Sequence, residues 1–248
     1  SYDIDDLKQA ENVLREADQS KNRFLAVLAH ELRTPLAAIT NAVHVLGASA
    51  PSNELYTAAQ TILARQTANM SRLVDDLVDF SRVTHGLVLL RQEQVGLRDV
   101  VSHAVEATQA GREAQQVNLA VNMPEQPLWV RGDAMRLEQI LSNLLGNASK
   151  FARRDGNIWL DLAFESLPGD GAAGTSPVAV VRVRDDGAGI EPAMLERIFE
   201  PFTQIDPHGA TAKLGMGLGL ALTRQLAELH GGYVRAASDG LGHGSRVT

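Results

Sequence analysis

The sequence contains no cysteine. That absence removes disulfides, thiolate zinc sites and cysteine nucleophiles from the available chemistry, and it is compatible with a cytosolic setting. An excess of positive charge is also missing. The formal net charge of −7 argues against broad, charge-driven binding to nucleic acid or anionic lipid, so any phosphate ligand has to be held locally. No apolar run reaches membrane-spanning length and no signal peptide opens the chain. The expectation is a cytoplasmic piece that makes no membrane contact itself, whether the full-length protein is soluble or membrane-anchored.

What is present fits a folded globular protein. Of 248 residues, 44% are hydrophobic and 21% charged, enough to build one large domain or two modest ones. From Asp3 to about Ala48, helix formers dominate, and Ile4, Leu7, Leu14, Leu25, Leu28 and Leu32 make a stripe at three-four spacing. Polar Glu11, Asp18 and Lys21 interrupt it, so the early turns read as a coiled-coil connector and the later ones as a packed bundle. Pro51 and Ser52 mark a turn before a second helix from about Asn53 to Arg82. One hairpin leaves an apolar face uncovered. A second copy completing a four-helix bundle is the economical solution, which predicts a homodimer.

After Gly86 the pattern changes to β-branched runs alternating with helices, giving domains at 1–86 and 87–248. Strand-like segments are Leu87 to Gln94, Val117 to Asn122, Leu128 to Arg131, Asn157 to Phe164, Val178 to Arg184 and Tyr233 to Ala237. Helices are expected near Leu97 to Arg112, Asp133 to Lys150 and Gly217 to Gly231. Glu165 to Pro177 reads as a mobile hairpin loop. Ser245 to Thr248 looks like the start of a strand, and both ends are expected to be excised from a longer chain.

Two groups of residues carry chemistry. In Phe24-Leu25-Ala26-Val27-Leu28-Ala29-His30-Glu31-Leu32-Arg33-Thr34-Pro35-Leu36, a histidine is followed by a carboxylate and, one helical turn on, by a threonine. Each alone is an ordinary surface residue. Pro35 has no amide hydrogen for the Glu31 carbonyl, so the helix is expected to kink or loosen beside His30. A neutral imidazole can attack phosphorus, an adjacent carboxylate can orient it and take its proton, and Thr34 can hold a water for the reverse reaction. The second group is dispersed. Asn143, Asn147 and Lys150 share one helix face, with leucines on another. Asp185-Asp186-Gly187-Ala188-Gly189-Ile190 follows a strand, placing an acid able to accept from an amino group before glycines that admit close approach. Gly215-Met216-Gly217-Leu218-Gly219-Leu220 opens a helix, where backbone amides meet phosphates. It is neither a Rossmann fingerprint nor a P-loop, lacking the downstream ribose-binding acid of the one and the Gly-Lys-Ser/Thr of the other.

The first segment resembles the phospho-acceptor box of sensor histidine kinases, F-x-x-x-x-x-H-E-[LI]-[RK]-[TN]-P-L, at every specified place. The dispersed segments, in order, resemble the N, G1, F and G2 boxes of the same family's ATP-binding domain, with Ile198-Phe199-Glu200-Pro201-Phe202 as the F box. The resemblance spans about Lys21 to Thr248. It implies a helical hairpin, a four-helix bundle on dimerisation, followed by an α/β two-layer sandwich of the GHKL (Bergerat) type shared with gyrase- and MutL-type ATPases. It implies His30 as phospho-acceptor, Glu31 as general base and Thr34 as the residue positioning hydrolytic water. ATP and Mg²⁺ are the implied cofactors, with Asn147 and nearby Asn143 on the metal and Lys150 on phosphate. Asp185 would accept from the adenine amino group, and Gly187 and Gly189 would make room for the base. Gly215, Gly217, Leu218 and Gly219 would line the phosphate side. Thr203 to Leu214 would form the lid, carrying Lys213 and, less favourably, His208 toward the γ-phosphate. The implied partner is a response-regulator receiver domain, separate or fused.

Three positions depart from the family pattern: Met216 stands for a usual threonine, Leu214 for a frequent glycine, and Asp186 for a small polar residue. Two alternatives stay open on sequence grounds. A GHKL ATPase that uses ATP only to drive closure would not need the His-Glu-x-x-Thr-Pro box. A degenerate kinase serving as a dimeric scaffold would not need intact His30, Asn147 and Asp185.

Overall fold

A run of helix formers free of glycine and proline carries the longest element, α2 (Asn53–Thr84), which opens with Glu54 in its first turn and closes with Arg82 in its last. The structure is a computed structural model that describes residues 26–47, 52–168, 175–204 and 216–248. The expected connector helix from Asp3, the turn at Pro51 and most of the lid lie outside those residues. The chain parts into two compact units, Ser1–Val78 and Asp79–Thr248.

In the first unit, α1 runs over 26–46. The helix continues through Pro35. One missing hydrogen bond leaves intact turns on both sides to carry the helix on. Among the unit's described residues only Pro35, Ala42 and Ala59 are buried, while Leu36, Val43, Leu55, Tyr56 and Val74 are exposed. Such a hairpin buries little of its own apolar surface.

The second unit is built on period-two alternation. The elements are β1 (Glu93–Gly96), α3 (Leu97–Ala107), α4 (Gln109–Gln115), β2 (Asn118–Asn122), β3 (Trp129–Gly132), α5 (Ala134–Phe151), β4 (Asn157–Pro168) and β5 (Thr175–Asp185), then α6 (Gly219–Leu229), β6 (Ala236–Ala237) and β7 (Ser245–Val247). Five strands form one sheet in the order β2-β4-β5-β7-β6, and β1 pairs with β3 in a separate ribbon. The β2–β4 pair is parallel and the other pairs are antiparallel. Ile158, Leu160, Leu162 and Val183 point to one face and pack with Val100, Val101, Ala104, Leu141, Leu144, Leu145 and Ala148 of α3 and α5. The leucine face of α5 is therefore fixed against the sheet.

Four expected boundaries change, each for a local reason. The strand expected at Leu87 to Gln94 is reduced to Glu93–Gly96, because β3 offers partners only from Trp129 to Gly132. Leu87 and Leu89 are left 72% and 91% exposed. The helix expected from Leu97 to Arg112 divides at Thr108, whose hydroxyl donates to the Ala104 carbonyl at 2.8 Å while Arg112 Nη1 donates to the Val105 carbonyl at 3.0 Å. Side chains thus satisfy carbonyls that end α3. Much of the expected loop from Glu165 to Pro177 is strand, since β4 and β5 stay in register to Pro168↔Thr175. The strand expected at Tyr233 to Ala237 narrows to Ala236–Ala237, although Arg235 and Thr248 still exchange backbone hydrogen bonds of 2.8 Å in both directions.

The last turns of α2 belong to this unit. Asp79 Oδ2 accepts from Arg136 Nη1 at 2.9 Å and Gln139 Nε2 at 2.7 Å, and Val83 packs with Leu222 and Leu226. Leu160 is fully buried, so Leu160→Ala is expected to destabilise the second unit by about 2–5 kcal/mol in urea denaturation.

Candidate functional site

His30 is exposed on α1, and the Thr34 hydroxyl donates to the His30 carbonyl at 3.3 Å. Glu31 is half-buried and Arg33 exposed beside it. The imidazole thus stands clear of the helix core, where a reacting phosphorus can reach it.

The dispersed residues come together in the second unit. Asp133 caps α5: its carboxylate accepts from the Arg136 amide at 3.2 Å and the Arg91 amide at 3.1 Å. Burial pushes this carboxyl up, but hydrogen bonds from the Arg91, Arg136 and Met135 backbone outweigh that and hold it below the usual range. Further along α5, Asn143 Nδ2 donates to the Gly219 carbonyl at 3.2 Å, which joins the asparagine face to the start of α6. A Cβ at Gly219 would stand 3.7 Å from Asn143 Oδ1 and 3.9 Å from Asn147 Nδ2. Because its nitrogen is engaged, Asn143 presents Oδ1 as the available atom, a hard oxygen donor. The Lys150 ammonium lies 4.9 Å from the Phe151 ring centroid.

Ahead of α6, Gly217 has φ of +71° and its carbonyl accepts from the Phe202 amide at 3.1 Å. A Cβ there would come within 2.6 Å of the Thr203 carbonyl oxygen, so only glycine fits. Leu218 is buried, and so is Met216, at 3% exposure. The methionine standing for a usual threonine is therefore a packing residue under the loop. Gly215, Leu214, Lys213 and His208 lie outside the described residues.

The acidic loop is held most firmly. Asp185 is 6% exposed; its Oδ1 accepts from the Gly187 amide at 2.8 Å and its Oδ2 from the Ser245 hydroxyl at 2.6 Å. Burial pushes its pKa above the ordinary value, the hydrogen bonds from Ser245 and Gly187 oppose the shift, and neighbouring Asp186 adds to it. Asp186 itself turns away, accepting from the Asn157 amide at 3.0 Å and Asn157 Nδ2 at 3.1 Å. The space at the glycines is taken by backbone: a Cβ would meet the Phe151 oxygen at 2.0 Å from Gly187 and the Gly240 oxygen at 2.0 Å from Gly189.

Sequence reasoning missed four contributors. Ser245 holds Asp185, and Gly244 lets its strand approach, since a Cβ there would lie 2.1 Å from the Asp185 carbonyl oxygen. The Ser238 hydroxyl accepts from the Ile190 amide at 3.0 Å and donates to the Gly244 carbonyl at 2.6 Å. His230 Nδ1 donates to the Leu226 carbonyl at 2.7 Å while Nε2 accepts from the Asp133 amide at 3.1 Å, which ties the end of α6 to the start of α5. Gly-x-Gly-Ser at 242–245 was the one sequence signal for the first two.

Residues 20–86 match the model of the His Kinase A (phospho-acceptor) domain, and residues 132–248 match that of the histidine kinase-, DNA gyrase B- and HSP90-like ATPase. The chain belongs to the sensor histidine kinases. It is 31% identical to the Non-motile and phage-resistance protein of Caulobacter vibrioides, covering 90% of this chain and 26% of that one. It is likewise 31% identical to the circadian input-output histidine kinase CikA of Synechococcus elongatus, covering 94% of this chain and 30% of that one. The chain therefore spans less than a third of these two relatives. Full-length ShkA in complex with AMPPNP superposes with a TM-score of 0.62 at 28% identity, over 90% of this chain and 44% of that one. The Acinetobacter baumannii histidine kinase AdeS shares the fold, with a TM-score of 0.63 at 22% identity over 88% of this chain and 94% of that one. The expected helical hairpin followed by an α/β ATPase domain is the observed architecture. Among the described residues, no helix of this histidine kinase is long and apolar enough to cross a membrane.

The raised pKa of Asp185 fixes a sign. Its protonated form favours the fold, a contribution fully present below the ordinary carboxyl value of 3.8 and lost as pH rises through the raised native value. Asp185→Asn is therefore expected to raise the urea midpoint of the nucleotide-free protein at neutral pH, with the advantage fading as the pH is lowered through that window.

Proposed function

We propose that this chain transfers the γ-phosphoryl of ATP to its own His30 and then to an aspartate of a response-regulator receiver domain, separate or fused, in two-component signalling. The observation that carries the reading is a buried, doubly hydrogen-bonded Asp185 in the same unit as an asparagine face and a helix-opening glycine loop, in a chain whose exposed His30 sits in a phospho-acceptor box. ThkA, a solved histidine kinase in complex with the response regulator TrrA, supports the assignment of the partner; its own likeness is one of fold, with a TM-score of 0.67 at 18% identity.

In this reading, residues 1–86 form the signalling helix and dimerisation hairpin, and 87–248 the ATP-binding domain. The apolar side chains left exposed on α1 and α2 support a homodimer completing a four-helix bundle. Asp185 accepts from the adenine amino group, while Gly187 and Gly189 act by letting neighbouring backbone shape the loop around the base. Asn143 and Asn147 would hold Mg²⁺ through side-chain oxygens, and Mg²⁺ when bound would neutralise phosphate charge. Lys150 and, from the lid, Lys213 add positive charge at the phosphates. Gly215, Gly217, Leu218 and Gly219 bring the amides and dipole of α6 to the phosphate side. His30 attacks the γ-phosphorus in line as its bond to the bridging oxygen breaks and ADP leaves, Glu31 orients the ring and takes its proton, and Thr34 positions water when phosphate is removed from the regulator.

Incubation of the wild type with Mg²⁺ and γ-labelled ATP is expected to give acid-labile label that His30→Gln abolishes. Asp185→Asn is expected to weaken ATP binding about 10- to 100-fold, the effect of losing a hydrogen bond to a buried charged group. Wild type that binds ATP yet never labels would leave only the conformational ATPase or scaffold reading.

A further inference from the structure

The main sheet has a second face. Since Ile158, Leu160, Leu162, Val181, Val183 and Val247 point into the core, strand alternation turns Trp159, Asp161, Arg182, Arg184 and Arg246 to the opposite side. Register aligns them: Trp159 lies opposite Arg184, Arg184 opposite Arg246, and Asp161 opposite Arg182. Arg235, hydrogen-bonded to Thr248, joins the same face, with Tyr233 two residues before it.

Two of the guanidinium groups lie over aromatic rings. Arg184 stands 4.0 Å from the Trp159 centroid and Arg235 4.8 Å from that of Tyr233. The acids on this face are engaged: Glu165 pairs with Arg182, and Asp161 Oδ1 accepts from Asn122 Nδ2 at 3.1 Å. Arg184, Arg235 and Arg246 are exposed and make no ion pair among the described residues. A chain of net charge −7 thus gathers three uncompensated guanidinium groups on one open sheet face.

We propose that this face is a docking surface for a protein partner presenting a cluster of carboxylates. Guanidinium groups packed flat on rings are already oriented, and their free N–H edges match carboxylates in bidentate geometry. Polynucleotide suits the face less well. A guanidinium covers one face of each ring that would otherwise stack a base, and the interspersed Asp161 and Glu165 repel a continuous phosphate chain. The surface lies on the face of the sheet opposite the helices that carry the nucleotide-site candidates and would serve recognition by signalling partners.

The test uses the full chain and a fluorescein-labelled oligoglutamate peptide, with binding read by anisotropy. Wild type is expected to bind in a salt-sensitive manner. Arg235→Glu with Arg246→Glu should weaken binding about tenfold or more, whereas Arg65→Glu with Arg98→Glu, the same charge change elsewhere, should leave it nearly unchanged. Should the first pair melt early, Arg235→Gln with Arg246→Gln takes its place. Equal loss in both pairs, no peptide binding at low salt, or tighter binding of oligothymidylate or phosphatidylserine vesicles than of peptide would each overturn the proposal.

Discussion

A carboxylate removed from water is tolerated only where hydrogen bonds replace hydration, and Asp185 imposes that condition on the second unit. Its two oxygens accept from Gly187 and Ser245, residues 2 and 60 positions away in sequence. To bring Ser245 there, β7 must lie beside β5, which demands a residue without a side chain at Gly244. The following loop is then locked by backbone bonds from Gly242 to the Ala188 carbonyl at 2.6 Å and from Gly244 to the Gly187 carbonyl at 3.1 Å. The acid is thus the point at which the sheet's last strands and the glycine loop are assembled together. Its raised pKa is the residual cost of that burial, retained at a group suited to recognising an amino group.

The asparagine face is positioned by a different balance. Leu141, Leu144 and Leu145 bury one side of α5 against the sheet, which orients Asn143 and Asn147 on another. Rotation about the helix axis is set by those leucines, whereas the N-terminal end is held by polar contacts: the Asp133 cap and His230 reaching from α6. Asp79, from the end of α2, adds Arg136 and Gln139 to the same N-terminal turn. Phe80 meets Phe202 edge-on at 6.0 Å, and Phe202 in turn donates its amide to Gly217. The last turns of α2 therefore touch the start of the asparagine helix and, through Phe202, the loop that opens α6.

Most of this was legible where the physics is local. Periodicity marked α2 and α5, and the chemistry-bearing segments stood out because His-Glu-x-x-Thr-Pro and Asp-x-Gly-x-Gly are restrictive patterns. What stayed hidden depends on pairing between distant segments. The Gly-x-Gly-Ser at 242–245 marks a loop but not its partner, and nothing near Ser238 or His230 marks either, although the three converge on residues 60, 48 and 97 positions away, because strand order is decided by the whole sheet. Strand length failed for the same reason: residues 87–92 have acceptable β composition but no partner, while β4 extends to Pro168 because β5 can pair with it. At the glycines, room for a ligand and room for neighbouring backbone look identical in sequence.

The sheet makes the same point from its other side. Arg-x-Arg at 182 and 184 is visible in the chain, but Arg235 and Arg246 join it only once β6 and β7 close the sheet edge. One strand set thus does two things at once: inward residues fix the helices that present the nucleotide-site candidates, and outward residues accumulate like charge. Packing cannot explain the second, because Arg184, Arg235 and Arg246 make no ion pair among the described residues, and like charges on neighbouring strands are mildly destabilising. Stacking on Trp159 and Tyr233 offsets part of that repulsion, so the arrangement is stable enough to persist while leaving its hydrogen-bonding edges turned to solvent.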